Sequence, residues 1–161
     1  MKQSKTKHAF SLVELVIVIV IIGIIAAIAV PRISRGAKGA TDSALKGDLT
    51  ALRSAIDLYA AEHSGSFPTV AKFTEQLTTY TNAAGADNAT KTSAYIYGPY
   101  LKAIPGLPIP GVGTTGGAAG DKGVAAADAT GVGWLYTVAT GDLKSNTGTA
   151  ADEAGTAYSA Y

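Results

Sequence analysis

The chain is 161 residues long, enough for one modest domain plus an anchor. It has no cysteine, which excludes a disulfide framework, a thiolate metal site and a cysteine nucleophile, and only 16% of its residues are charged. The formal charge of +1 hides a split: residues 1–39 hold six Lys/Arg against Glu14 alone, whereas residues 40–161 hold seven against eleven Asp/Glu, a net of −4, so the C-terminal region lacks the basic face that nucleic-acid binding needs.

In chain order, a short basic leader, Met1 to His8, comes first. Leu12 to Val30 then forms an apolar run of nineteen residues in which Glu14 is the one charge. That length approaches the ~20 residues a transmembrane helix needs. Two plain readings fit it. A secretory signal would use Ala26-Ala27-Ile28-Ala29 as its small-residue cleavage site. A plain membrane anchor would need only the length. Neither gives Glu14 a purpose, and an ionisable group in such a segment points to a function and a partner. Lys2, Lys5 and Lys7 precede the run and Arg32, Arg35 and Lys38 follow it, so the positive-inside rule is nearly balanced. Both groups suit anionic lipid headgroups.

Gly23 and Pro31 are expected to weaken and bend the helix, since proline lacks the N–H and crowds the preceding turn. The helical pattern nevertheless continues. Leu45, Leu49, Leu52, Ile56 and Tyr59 recur at steps of four and three, which places them on one face. Arg53 and Asp57 stand four apart and are expected to pair weakly. Gly65 is the expected stop, with Pro68 beyond it. The pattern predicts one helix from about Phe10 to about His63, apolar all round in its first half and amphipathic in its second.

A short helix is predicted over Lys72–Tyr80, with Phe73 and Leu77 on one face, followed by a loop over Asn82–Ser93. Prolines 99, 105, 108 and 110 make the next stretch an extended connector. Residues 111–133 hold eight glycines and six alanines, which predicts a long, solvent-exposed, variable loop, with a ligand-binding loop as the alternative. Trp134–Val138 reads as a strand with Trp134 as a core anchor, Thr140-Gly141-Asp142 as a turn, and Leu143-Lys144-Ser145 as the hairpin partner. Tyr158 and Tyr161 are expected to form a short edge strand.

At Ala9-Phe10-Ser11-Leu12-Val13-Glu14 the chain resembles the type IV pilin superfamily, which includes the pseudopilins of type II secretion. That family has a basic leader, a small residue, then Phe-(Ser/Thr)-Leu-(Val/Ile)-Glu and a long apolar helix; it usually has glycine where this chain has Ala9. Gly23 and Pro31 also fall where such proteins carry a glycine and a helix-bending proline. Gly98-Pro99-Tyr100-Leu101 through Ile104-Pro105 is similar to a segment of major pseudopilins. The resemblance implies that a prepilin peptidase cuts between Ala9 and Phe10 and methylates the new Phe10 amine. It also implies that Glu14 pairs with the Phe10 amine of a neighbouring subunit in a filament.

Catalysis finds little footing. His8 lies in the leader, and His63, near a helix end, is expected to meet solvent or the helix dipole. No nucleophile elbow, phosphate loop or His-rich metal motif occurs. Major pseudopilins commonly hold calcium near the C-terminus, and Asp142, Asn146 and Asp152 are the candidate oxygen donors for it here.

The expected fold is α+β, a pilin-like lollipop in which a long N-terminal helix packs on a small antiparallel sheet. Its parts are a leader (1–9), a transmembrane and polymerisation helix (10–38), the amphipathic half of that helix (39–64) and a periplasmic globular region (65–161). The expected function is structural and not enzymatic: a subunit of a helical homopolymer, most like a major pseudopilin. Its partners would be the prepilin peptidase, an inner-membrane assembly platform and minor pseudopilins. Its place would be the inner membrane, crossed once. A surface pilus subunit for adhesion or twitching is the alternative, and a minor pilin or adhesin whose Gly/Ala loop contacts a ligand is a third.

Overall fold

The computed structural model describes residues 10–111, 116–152 and 154–161, with Pro31, Ser34 and Arg35 described through their backbone. The leader, including Ala9, lies outside the described residues. The chain divides into two units, Met1–Ala40 and Thr41–Tyr161. Helix α1 runs from Leu12 to Glu62. It stays α-helical across Gly23 and Pro31.

In the second unit the predicted stripe is the core. Leu45, Leu49, Leu52, Ile56 and Tyr59 are each at most 2% exposed. Burying such a side chain contributes roughly 1.5–3 kcal/mol. The helix ends where Gly65 was expected to stop it: the Gly65 N–H donates to the Ala60 carbonyl at 2.8 Å, and Ser64 and Gly65 both take positive φ. Arg53 does not pair with Asp57. Its guanidinium donates to the Leu143 carbonyl at 2.8 Å and to the Tyr161 carbonyl, tying α1 to residues 90 and 108 positions later. Two acceptors fixed in the fold outcompete an exposed carboxylate at a surface worth only a few tenths of a kcal/mol.

Helix α2 (Phe73–Thr78) is shorter than predicted but buries Phe73 and Leu77 as expected, with Gln76 beside them. The loop that follows contains two short strands, β1 (Tyr80–Thr81) and β2 (Asp87–Asn88), paired antiparallel. Strand β3 (Gly123–Ala125), β4 (Val132–Thr137) and β5 (Asp142–Ser145) form a second sheet in the order β3-β4-β5. The β4–β5 hairpin is antiparallel, pairing Trp134 with Ser145 and Thr137 with Asp142. The β3–β4 pair is parallel, so this sheet is mixed rather than wholly antiparallel. Parallel pairs usually need a connection of about a dozen residues. Here β3 is so short that the return path is about 10 Å, within reach of residues 126–131.

The Gly/Ala segment is therefore partly built into the fold. Backbone bonds tie Leu107 to Asp121, Gly117 to Asn146 and Gly123 to Gly131, at 2.8, 2.6 and 3.0 Å. The bare Cα atoms of Gly117, Gly123 and Gly133 let neighbouring carbonyls approach where any Cβ would collide. Residues 112–115 of that loop lie outside the described residues.

Trp134 is fully buried and donates its indole N–H to the Pro105 carbonyl at 2.9 Å. Tyr158 and Tyr161 form no edge strand. Tyr158–Ala160 is a 3-10 turn, because both phenols are drawn to acids: Tyr158 donates to Asp42 at 2.5 Å and Tyr161 donates to Asp152. Burial and the Asp42 carboxylate push the Tyr158 phenol above its ordinary range. Tyr136, also buried, has no hydrogen-bond partner for its hydroxyl among the described residues, and burial followed by the nearby Tyr59 phenol pushes its pKa up to about 12. An unpaired buried hydroxyl costs roughly 1–3 kcal/mol, so Tyr136→Phe is expected to stabilise the protein by about 1 kcal/mol. A lowered thermal midpoint would rule that out.

Candidate assembly and processing site

The site is built by the start of α1. Ser11 stands just before the helix, and its carbonyl accepts the first helical bond from Leu15 at 3.2 Å. Its hydroxyl oxygen accepts the Val13 N–H at 3.3 Å, while Glu14 Oε2 accepts the Ser11 N–H at 3.0 Å. This is a variant of the capping box, a serine followed three residues later by a glutamate, in which the hydroxyl takes the N–H of the second helical residue rather than the third. The carboxylate also sits in the first turn, where the helix dipole favours negative charge. Glu14 thus has a partner within its own chain. The Ser-x-x-Glu spacing announces that cap in the sequence, and reading Glu14 only as an intermolecular partner passes it over. A carboxylate has about four acceptor sites, so one N–H leaves capacity for an incoming amine.

Phe10, the residue expected to become the new N-terminus, is 87% exposed. Behind it, Leu12–Val30 is a stretch of nineteen residues with mean hydropathy 3.2. At 1.5 Å per residue it is about 28 Å long, close to the ~30 Å hydrocarbon thickness of a bilayer. Its large apolar side chains face outward, from Val16 at 44% exposed to Leu12 at 77%. Such a surface calls for lipid or other apolar helices. Gly23 has open space around its Cα, so it costs helix stability without serving a contact among the described residues.

A model of the prokaryotic N-terminal methylation motif matches residues 4–30. The motif is that of a type IV pilin-like prepilin. It takes in Ala9, Phe10 and Glu14 together with most of the apolar span. Neither the curated proteins nor the solved structures contain a match to the chain.

The three candidate calcium donors are not brought together. Asp142 accepts the Thr140 hydroxyl at 2.9 Å in the β4–β5 turn. Asn146 lies beyond the far end of β5, about 13 Å away along an extended strand. It turns its amide nitrogen to Asp128 at 2.6 Å and to the Val132 carbonyl at 2.8 Å. Asp152 is occupied by the Ala154 and Thr156 N–H groups, at 2.9 and 2.8 Å, and by Tyr161. Among the described residues no group of three or more His, Asp or Glu side chains could hold a metal ion.

Hydrogen bonds from the Asn146 amide and then the Gly116 N–H hold the Asp128 carboxyl below its usual range. The tie is therefore complete above the ordinary carboxylate pKa and is lost as pH falls through the lowered value. An acid titration followed by NMR is expected to show the Asn146 side-chain amide released only below the ordinary carboxylate range. Release above that range would contradict the assignment.

His63 is neither solvated nor poised as a base. It is 3% exposed and stacked on Tyr59 with ring centroids 3.8 Å apart. Its Nδ1 meets the Tyr59 carbonyl at 2.8 Å and its Nε2 meets the Thr81 hydroxyl at 3.1 Å. Both ring nitrogens are engaged inside the fold, which explains why the helix end tolerates a buried imidazole.

Proposed function

We propose that the chain is a structural subunit of a type IV pilus-like filament, and more narrowly the major pseudopilin of a type II secretion system. The observation that carries the reading is the coincidence of the methylation motif, at residues 4–30, with an outward-facing apolar helix that holds a single carboxylate. In this reading a prepilin peptidase cuts after Ala9 and methylates Phe10. The span Leu12–Val30 holds the subunit in the inner membrane, with the C-terminal region in the periplasm. An assembly platform and minor pseudopilins then help copies stack through the helix. Contacts of that kind repeat without closing, so they build an open filament. The role is mechanical and not catalytic.

The narrower reading leans on Gly98-Pro99-Tyr100-Leu101 and on the lack of cysteine. A surface pilus subunit is the second reading, favoured by the same N-terminal motif. The experiment compares secreted proteins and surface filaments in strains with and without the gene. Exoproteins stranded in the periplasm with surface pili intact would support the pseudopilin. Normal secretion with surface filaments lost would support the pilus subunit.

A further inference from the structure

A cavity of about 200 Å³ lies between the C-terminal end of α1, helix α2 and the turn before β2. Tyr59, His63 and Phe67 supply its rings, Gln76 and Gly85 its polar wall, and the exposed Ser66 stands at its mouth. All of these residues belong to the Thr41–Tyr161 unit, so nothing below depends on the filament reading.

We propose that this cavity binds the ring of a neutral sugar. Four observations converge on that class of ligand. First, the lining holds no Lys, Arg, Asp or Glu, so a charged ligand would lose hydration without gaining a counter-charge. Second, the half-buried ring of Phe67 supplies an apolar wall of the kind that packs against the C–H face of a sugar, beside Tyr59 and His63, which are stacked on each other at 3.8 Å. Third, the polar groups converge on one wall. The Tyr59 hydroxyl stands 2.6 Å from where a Gly85 Cβ would be, and the Gln76 amide nitrogen stands 3.2 Å from the same point. Gln76 donates one N–H to the Gly85 carbonyl at 2.8 Å and keeps its second donor. No hydrogen bond ties the Tyr59 hydroxyl to another described residue, and unlike the Tyr136 hydroxyl it is not sealed in the core but lies open to the cavity. A wholly apolar ligand would leave that hydroxyl unpaired, and a hydroxylated ring would satisfy it. Fourth, the volume falls below the ~300–1,000 Å³ of drug-sized pockets, which fits one ring rather than a larger ligand. Gly85 is what keeps the site open: a side chain there would meet the Tyr59 hydroxyl, and its φ of +77° suits glycine.

A soluble monosaccharide and the terminal residue of a glycan share this chemistry. The exposed mouth, at Ser66, Thr69, Ala83 and Ala84, gives a glycan chain a way out.

The test uses the full chain in micelles of a sugar-free zwitterionic detergent. Neutral hexoses, their methyl glycosides, glucuronate and glucosamine are titrated while the NMR signals of Gly85 and the Gln76 side-chain amide are followed. Saturable shifts with neutral hexoses, weaker with both charged analogues, are expected. Tyr59→Phe should weaken binding about tenfold while its melting temperature stays level or rises, since the hydroxyl holds no partner in the fold. Equal binding of the methyl glycosides would indicate a glycan end, and binding of free hexoses alone would indicate a soluble sugar; both support the proposal. It is overturned if no neutral hexose gives a saturable shift, if the charged analogues bind as well, or if Tyr59→Phe binds as tightly as the wild type.

Discussion

Glu14→Leu is expected to abolish filament assembly and to leave membrane insertion intact. Insertion survives because the substitution makes the Leu12–Val30 span more apolar, and Glu14, in the first turn of that span, sits where a charge costs less than the ~2.5–3.5 kcal/mol of a helix centre. Assembly fails because the carboxylate is the one group in that span able to meet a cationic amine from a neighbour. A buried charge that loses its partner costs about 3–5 kcal/mol, and the cost would recur at every subunit. The geometry demands a control, because Glu14 also accepts the Ser11 N–H at 3.0 Å and caps its own helix. Losing a cap costs roughly 0.5–2 kcal/mol. Glu14→Gln separates the two roles: glutamine keeps the capping hydrogen bond but carries no charge. Membrane fractionation with immunoblotting of sheared filaments reads both variants. Filaments lost in both, with each chain still in the membrane fraction, would place the effect in the charge. Wild-type filament levels in Glu14→Gln would leave capping as the residue's whole contribution and defeat the intermolecular pairing.

The parts of the fold that were legible in the sequence are those set by local periodicity. Leu45, Leu49, Leu52, Ile56 and Tyr59 repeat with the helical period, and all five are buried where that period places them. The hairpin around Thr140-Gly141-Asp142 was legible for the same reason, since β5 alternates and the turn carries its own residues. What escaped is non-local or too short to have a period. Strands β1 and β2 have two residues each. Strand β3 is three residues long and hidden in a Gly/Ala run, with Val124 alone packing a large apolar side chain on the core. His63 finds Thr81 eighteen residues on, and Arg53 finds Leu143 ninety residues on; nothing local announces either bond. The residues proposed for processing, Ala9 and Phe10, could be singled out because they stand with Glu14 in one contiguous motif. The calcium donors were chosen by type and proximity in sequence, and a strand between Asp142 and Asn146 was enough to separate them.

Trp134→Ala is expected to destabilise the Thr41–Tyr161 unit by about 3–5 kcal/mol, the usual cost of deleting a buried Phe or Trp side chain. A domain of this size has only about 5–15 kcal/mol in hand, so much of its stability would go. Trp134 is 0% exposed and sits in β4, the central strand, with β3 on one side and β5 on the other. Truncation empties that centre and also leaves the Pro105 carbonyl without its indole donor. Trp134→Phe divides the loss. It retains most of the apolar volume and removes the hydrogen bond, so it should cost about 1–3 kcal/mol. Thermal denaturation of the full chain in micelles, followed by near-ultraviolet dichroism of the tyrosines, orders the three forms. Limited proteolysis should cleave the alanine form within residues 41–161 while the apolar segment Leu12–Val30, which the substitution does not touch, stays lipid-bound. If the alanine form melted within a degree or two of the wild type, Trp134 would not anchor the core. If the phenylalanine form melted as low as the alanine form, the bond to Pro105, and not the filled volume, would hold the connector against the sheet.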